Sequence, residues 1–379
     1  MKKLLFLVNV DWFFISHRLP IAIEAKKLGY DVHIACNFTE HYELLASYGF
    51  KLHNIPFDRS GGGIRHELKT LLRIREVFSI VKPDVVHAVT IKPVLYGGLV
   101  GRILGIKNMV YAVSGLGLVF VAEGFVARIR RFLVTGLYKF ALGVRSFRVI
   151  FQNPVDKNVL KQAIGLKDCD CVMIKGSGAD LTTYNIAAEP DGTPIVVMAA
   201  RLLREKGVYQ FVDAARLLKA RDIMADFQLV GEPDPGNPNT VTAAELGVWR
   251  AEGIIKTLGF RSDIPEVFAA SHIVVLPSFY GEGLPKVLIE AAACGRAIVT
   301  TNNPGCAEAV IDGVNGLIVP AKDSKALADA IEMLVKDKDL RVRMGTAGRK
   351  LAEEEFDVQS VVAKHLDIYQ ELLKNAQND

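Results

Sequence analysis

An α/β chain with two parallel-sheet domains in tandem is the fold class this sequence predicts, and three observations carry it. Short apolar runs alternate with amphipathic stretches through the first half, which is the signature of βαβ units. The same pattern restarts near residue 194, after the polar stretch NIAAEPDGTP (185–194). The length of 379 residues, half of them hydrophobic, supplies two packed cores at roughly 100–200 residues per domain. The expected architecture is two Rossmann-like domains with a cleft between them.

Taken in order, KLLFLVNV (3–10) is the first strand. Its leading lysines and apolar run imitate a secretory signal, but the run stops at Asn9 and Asp11 and no small-residue cleavage site follows. A strand buried on both faces reads the same way. RLPIAIEAKKLG (18–29) is a helix closed by Gly29, and strands follow at 31–36, 84–89, 108–114 and 147–153. In the second half strands are expected at 194–200, 226–231, 254–259, 272–277, 296–301 and 316–320, with a helix over 206–220. The domains are therefore placed at 1–170 and 171–357, and the helix 358–379 is expected to return to the first domain. No segment reaches the ~18 uninterrupted apolar residues of a membrane-spanning helix.

Lys and Arg total 46 against 42 acids, a net charge of +4. That excess is too mild and too scattered for a nucleic-acid binder. It suits a phosphorylated ligand or an anionic membrane surface. Five cysteines, odd in number and irregularly spaced, imply no disulfide framework and a reducing cytoplasm. CDC at 169–171 has no matching His/Cys pair downstream, so no metal site is assigned to it.

In doubly wound sheets ligands sit beyond the carboxyl ends of the strands. After strand 194–200 comes ARLLREKG, with Arg201 at the strand end and Lys206 at the start of the next helix. Together they make an anion site, or else two solvated surface cations. After strand 272–277 comes SFYGEGLPK. Pro285 suits a first helical turn, and the backbone N–H groups around Gly283, Leu284 and Pro285 form a second phosphate cradle. Glu282 beside that cradle needs hydrogen-bond donors, for which sugar hydroxyls are candidates; the alternative is a helix-capping acid. Glu290 lies in the apolar run VLIEAAACG, where a charge needs a partner. A carboxylate there can accept both hydroxyls of a ribose diol.

EGLPKVLIE, ARLLREKG, GFRSDIPEVF (259–268), PGCAEAVIDGVNGLIVP (304–320) and IKGSGADL (174–181), in this order and spacing, resemble the retaining glycosyltransferases of family 4, of the two-Rossmann-domain GT-B type. The likeness covers nearly the whole chain. NVDWFFISHRLPIA (9–22), HAVTIKPVLYG (87–97) and AVSGLG (112–117) look like the branch that builds lipid-linked oligosaccharides, O-antigen and capsule. The resemblance implies a hexosyltransferase using a nucleotide-sugar. It implies that Glu290 binds the ribose, that Glu282 sits at the donor sugar and that Arg201 and Lys206 hold the diphosphate. Arg261 would flank the base. The donor is expected to be a UDP-sugar carrying an N-acetylhexosamine, and the acceptor a polyprenyl-diphosphate-linked saccharide. No cofactor and no metal are expected, because Arg201, Lys206 and a helix terminus can neutralise the leaving diphosphate.

In the first domain, His17 and Arg18 follow the first strand together with Asp11, and are placed at the acceptor. His17 is equally a helix-cap residue. Arg59 and Lys92 match recurrent cationic positions of the branch, placed at the acceptor, and are also ordinary surface charge. Ser114, placed there too, stands where some relatives carry a His or an acid. Ser114 is a poor general base, which fits a front-face mechanism in which the donor phosphate takes the acceptor proton. The stretch 124–148 carries Arg128, Arg130 and Arg131 among apolar residues and no acid. It reads as a surface for anionic lipid, or as a core helix with a solvated face. The expected location is the inner face of the cell membrane. The competing functions are a nucleotide-sugar epimerase of the same fold and a non-catalytic subunit of glycan assembly. A dehydrogenase is disfavoured, because no G-x-G-x-x-G follows the first strand.

Overall fold

The computed structural model describes residues 1–58, 63–116, 124–234, 236–279 and 281–375, and leaves the side chains of 125–127 aside. The chain forms two compact units. One comprises Met1–Ser177 with the terminal segment from Gln359, and the other comprises Gly178–Val358.

The first unit is a seven-stranded, wholly parallel sheet. Its strands are β1 (Lys3–Val10), β2 (Asp31–Asn37), β3 (Lys51–Asn54), β4 (Val85–Val89), β5 (Asn108–Val113), β6 (Ser146–Phe151) and β7 (Cys171–Met173), in the order β3-β2-β1-β4-β5-β6-β7. The signal-like run is β1: Leu4 through Val8 are fully buried, as a central strand covered on both faces must be. The first unit passes the boundary expected at 170, because β7 pairs with β6 from Val149↔Cys171 onward.

The helix expected from residue 18 begins at Asp11 and runs to Lys27. Pro20 marks a first turn in sequence terms, but the face formed by Phe14, Ile21, Ala22 and Ala25 is buried and holds the helix through the proline. The terminal helix Val358–Asn375 packs on the first unit, where the Tyr369 hydroxyl lies 2.6 Å from His87 Nδ1 and Arg148 pairs with Glu371.

The second unit is a six-stranded parallel sheet made of β8 (Ile195–Ala199), β9 (Asp226–Val230), β10 (Ile255–Gly259), β11 (Ile273–Leu276), β12 (Ala297–Thr301) and β13 (Gly316–Val319). The order is β10-β9-β8-β11-β12-β13. The chain winds outward from β8 in one direction and from β11 in the other. In doubly wound sheets such a reversal of winding is the point beyond whose carboxyl ends ligands bind. Arg201 follows β8 and Glu282 follows β11, so both candidate segments arrive at this switch point. Among the described residues, no helix is long and apolar enough to cross a membrane, and no cluster of His, Cys, Asp and Glu could hold a metal ion.

Candidate functional site

The loop after β8 is shaped by close backbone approaches. A Cβ on Gly231, just past β9, would lie 1.9 Å from the Ala200 carbonyl, so the two loops touch backbone to backbone. A single 3-10 turn, Arg204–Lys206, precedes Gly207, which takes a left-handed conformation at φ 82°. A Cβ there would sit 2.2 Å from the Pro277 carbonyl at the end of β11. Glycine thus serves twice at this point, for its conformation and for its lack of bulk. The helix expected from 206 begins two residues later, at Val208. Lys206 is consequently held in the connecting turn, facing the β11 loop.

Lys206 Nζ donates to Glu282 Oε2 at 2.6 Å. Both side chains are mostly buried, at 18% and 12% exposure. The Ser278 hydroxyl lies within hydrogen-bonding range of Glu282 Oε1, and 3.1 Å from the Glu205 carbonyl. Thr301 in turn donates its hydroxyl hydrogen to the Ser278 carbonyl. Glu282 is therefore a fixed carboxylate, gripped by one cation and one hydroxyl. Arg201 is half exposed and reaches Asp234 Oδ2 at 3.0 Å.

Pro285 sits one place earlier than expected. It caps the helix Lys286–Ala293, at φ −64° and ψ 125°, and does not occupy its first turn. The first-turn N–H groups have no intrahelical acceptor by geometry, so the anion-attracting end of the helix stays beside Glu282. Gly305 supports this loop from below: a Cβ there would fall 1.5 Å from the Gly283 carbonyl and 2.4 Å from that of Glu282. Glu290 is nearly buried on the same helix, with Lys286 Nζ 3.1 Å away. The Tyr184 hydroxyl is also hydrogen-bonded to it; burial first, and then the charge of Glu290, push that phenol's pKa upward.

Arg201, Lys206, Glu282, Gly283, Leu284, Pro285 and Glu290 thus all belong to the switch-point region of one unit. Arg261 follows β10 and, like Arg201 and Lys206, is paired with a carboxylate, that of Asp263 two residues on, near the surface. Sequence reasoning missed Ser278, Tyr184, Lys286, Asp234 and the supporting role of Gly305. Ser278 carried one signal, its place directly beyond a buried strand. Gly305 carried none by type, since its role follows from the backbone it meets.

The acceptor-side expectations are corrected in several places. Asp11 is buried and accepts from Thr39 N at 2.7 Å, Thr39 Oγ1 at 2.7 Å, His41 N at 3.1 Å and Trp12 N at 2.8 Å. Burial raises its pKa, but these bonds outweigh burial and hold it below the usual range. His17 is not a cap: it lies inside the helix, stacked on Phe13 at 4.0 Å between ring centroids. Arg18 is 1% exposed, with its Nη1 on the His17 carbonyl at 2.8 Å. Burial lowers its pKa to about 10. It is a core residue, because its stem packs with the buried face of the helix. Lys92 is already matched by Glu67 Oε1 at 2.6 Å and by the Asp58 carbonyl at 2.8 Å. Ser114 stands just past β5 with its hydroxyl buried and without a hydrogen-bond partner. Arg59 lies outside the described residues. Arg128 and Arg130 are exposed on the helix Phe125–Ala141, and Arg131 is half-buried there.

Comparison with known proteins follows this geometry. Residues 183–351 match the family model described as glycosyl transferases group 1, and residues 3–153 match that of glycosyl transferase 4-like proteins. The chain is 30% identical to N,N'-diacetylbacillosaminyl-diphospho-undecaprenol alpha-1,3-N-acetylgalactosaminyltransferase of Campylobacter jejuni, over 94% of this chain and 96% of that one. It is 24% identical to the capsular polysaccharide biosynthesis glycosyltransferase CapM of Staphylococcus aureus, over 93% of each. Among solved structures, that of Anabaena HepE in complex with UDP-glucose superposes with a TM-score of 0.75 at 20% identity, covering 100% of both chains. Two parallel-sheet units, a switch-point site holding the paired glutamates, and full-length likeness to a sugar transferase lead to one conclusion: this chain belongs to the family 4 (group 1) glycosyltransferases and has the GT-B fold.

Proposed function

We propose that this glycosyltransferase moves a sugar, an N-acetylhexosamine in first expectation, from a UDP-sugar to a polyprenyl-diphosphate-linked saccharide, with retention at the anomeric carbon. The observation that carries the reading is the Lys206–Glu282 pair beside Arg201 at the switch point. A donor diphosphate arriving there meets Lys206, Arg201 and the Lys286–Ala293 helix terminus, sharing the two side chains with Glu282 and Asp234. Glu282, oriented by Ser278, faces the donor's sugar hydroxyls. Glu290 offers its carboxylate to the ribose diol.

In the reaction the bond from the anomeric carbon to the diphosphate oxygen breaks and the acceptor oxygen bonds to that carbon on the same face. The acceptor proton passes to the departing phosphate oxygen. Lys206 and Arg201 stabilise the growing negative charge of the leaving group, so turnover should survive metal chelation. Support for the nucleotide comes from the UDP-glucose held by HepE, and support for the acceptor from the undecaprenyl-diphosphate substrate named for the C. jejuni relative.

The test is calorimetry of the full chain with UDP, GDP and ADP, followed by transfer from a labelled UDP-sugar to a polyprenyl-diphosphate disaccharide. UDP-selective binding and a lengthened, acid-labile lipid product are expected. Selectivity for GDP or ADP overturns the donor. Sugar epimerisation without acceptor would instead assign a nucleotide-sugar epimerase, and absence of any turnover would point to a silent assembly subunit.

A second reading concerns the membrane, placing the enzyme on the cytoplasmic leaflet where its lipid acceptor resides. On the helix Phe125–Ala141, Phe132 is 78% exposed, Leu133 60%, Leu137 50% and Ile129 48%. Interleaved with Arg128 and Arg130, they form a face suited to anionic lipid. Sedimentation with phosphatidylglycerol vesicles should fall sharply for the Arg128→Glu/Arg130→Glu double variant; unchanged binding removes this reading.

A further inference from the structure

The second unit contains a cavity of about 350 Å³ at the end of its sheet opposite to Arg201 and Glu282. Its walls come from three places. Arg296 stands directly before β12, the segment Ile186–Glu189 leads toward β8, and Lys338, Val342 and Thr346 lie one turn apart along the helix Lys338–Glu355.

Arg296 is the unusual member. Its side chain is 1% exposed. Nη2 donates to the Ala187 carbonyl at 2.7 Å and to the Ala269 carbonyl at 3.1 Å, while the Nε proton has no acceptor. Among the described residues no carboxylate is bonded to it, although the charge of Glu189 acts on it from nearby. The acid in the cavity wall, Glu189, is held by Arg341, whose Nε and Nη2 each reach a carboxylate oxygen at 3.0 Å. That fork is itself buried, with 4% and 8% exposure, so Glu189 is not free to turn toward Arg296. Lys338, exposed at the rim, adds a second cation. The remaining lining is mostly apolar, from Ile186, Ala187, Ala188, Gly295 and Val342, with Thr346, whose hydroxyl donates to the Val342 carbonyl at 2.9 Å.

A buried guanidinium held by two carbonyls and the more distant charge of Glu189, with one N–H unbonded, gains from an anion that comes to meet it. An apolar wall beside it asks for a carbon body on that anion. We propose that this cavity is a second ligand site, separate from the donor site, for a compact organic anion: a phosphate monoester or carboxylate on a small apolar group. The anionic head would lie between Arg296 and Lys338, and the body against Ile186 and Val342. The volume lies near the lower end of small-molecule pockets, which run from about 300 to 1,000 Å³. It excludes a whole nucleotide-sugar.

The full chain is titrated, by calorimetry and ligand-observed NMR, with phenyl phosphate, benzoate and the neutral benzyl alcohol. Either or both anions should bind and the alcohol should not; which anion binds more tightly assigns the head group. Lys338→Ala should weaken binding about tenfold, as expected for one charge-assisted contact. Val342→Trp should abolish it by filling the cavity. Both residues are exposed, so these variants fold even if Arg296→Gln does not. Lys206→Ala, which disables the donor site, should leave binding intact. The proposal is overturned if neither anion binds, if the alcohol binds equally, if both cavity variants bind like the parent, or if Lys206→Ala removes the binding.

Discussion

Lys206 Nζ lies 2.6 Å from Glu282 Oε2, so the cation expected at the donor diphosphate and the carboxylate expected at the donor sugar already neutralise each other. The pair holds the site in a charge-balanced form before any donor enters. A diphosphate then shares Lys206 with Glu282, and the carboxylate, still held by Ser278, stays where it is. Lys206→Ala should lower kcat by about 10²–10³-fold, the loss typical of one stabilising group for a leaving charge. Glu282→Gln keeps the shape but removes the charge, and should lower kcat/KM while changing the melting temperature less than Glu282→Ala. Steady-state kinetics on the two variants separate the roles; equal kcat losses on both would merge them.

Ser278 acts through Glu282. It is fully buried, and its hydroxyl is within hydrogen-bonding range of the carboxylate. Ser278→Ala frees one oxygen of Glu282 and should reduce kcat about tenfold, the loss expected for a misplaced catalytic group. UDP affinity should change less than kcat, since Ser278 bonds to Glu282 and not to the cations proposed to hold the diphosphate. Calorimetry with UDP alone distinguishes this positioning role from collapse of the loop, which would weaken UDP as well.

Gly305 offers a sharper structural test. Its missing Cβ leaves room for the Gly283 carbonyl, 1.5 Å from where that atom would stand. Gly305→Ala must push the 282–285 segment away. Donor KM should rise at least about tenfold, with a fall in stability of roughly 1–3 kcal/mol. Thermal denaturation with and without UDP reads both, and a parent-like donor KM would contradict the packing described.

Acid should loosen the first unit through buried histidines. His365 Nδ1 donates to the Val361 carbonyl at 2.7 Å, so Nε2 carries a lone pair. Burial, and then the charge of Arg18, lower its pKa to about 3. His87, between Arg18, His365 and the Tyr369 hydroxyl, is driven well below its ordinary value for the same reasons. Tyr30 stands at the edge of this group against Tyr369. Both histidines are neutral when folded and take up protons near pH 6.5 when unfolded. Stability is therefore complete above about pH 6.5 and is lost as the pH falls toward the folded values. Each histidine contributes a slope of about 1.4 kcal/mol per pH unit across that window. Urea unfolding at pH 7.5 and 5.0 should show the loss, and His365→Leu should flatten the slope by one proton.

The sequence by itself determined most of the elements and named the candidate donor-site residues at the ends of their strands. The apolar run KLLFLVNV, ended by Asn9 and Asp11, reads as a central parallel strand, and a glutamate in VLIEAAACG needs a partner. Motif order alone placed Arg201, Lys206, Glu282 and Glu290 together. Strand order was illegible, because every parallel strand has the same apolar pattern wherever it sits in the sheet. Only the tertiary structure set β8 beside β11 and so brought their following loops together, with Phe279 N–H donating to the Glu205 carbonyl at 3.0 Å. It also decided the partner of each cation. Arg18, Lys92, Arg201, Lys206 and Arg261 look alike in sequence, yet the first is buried and the others are paired with Glu67, Asp234, Glu282 and Asp263. A cation's availability depends on what the fold brings within about 4 Å of it, and that distance is a property of the packed chain, not of the residue.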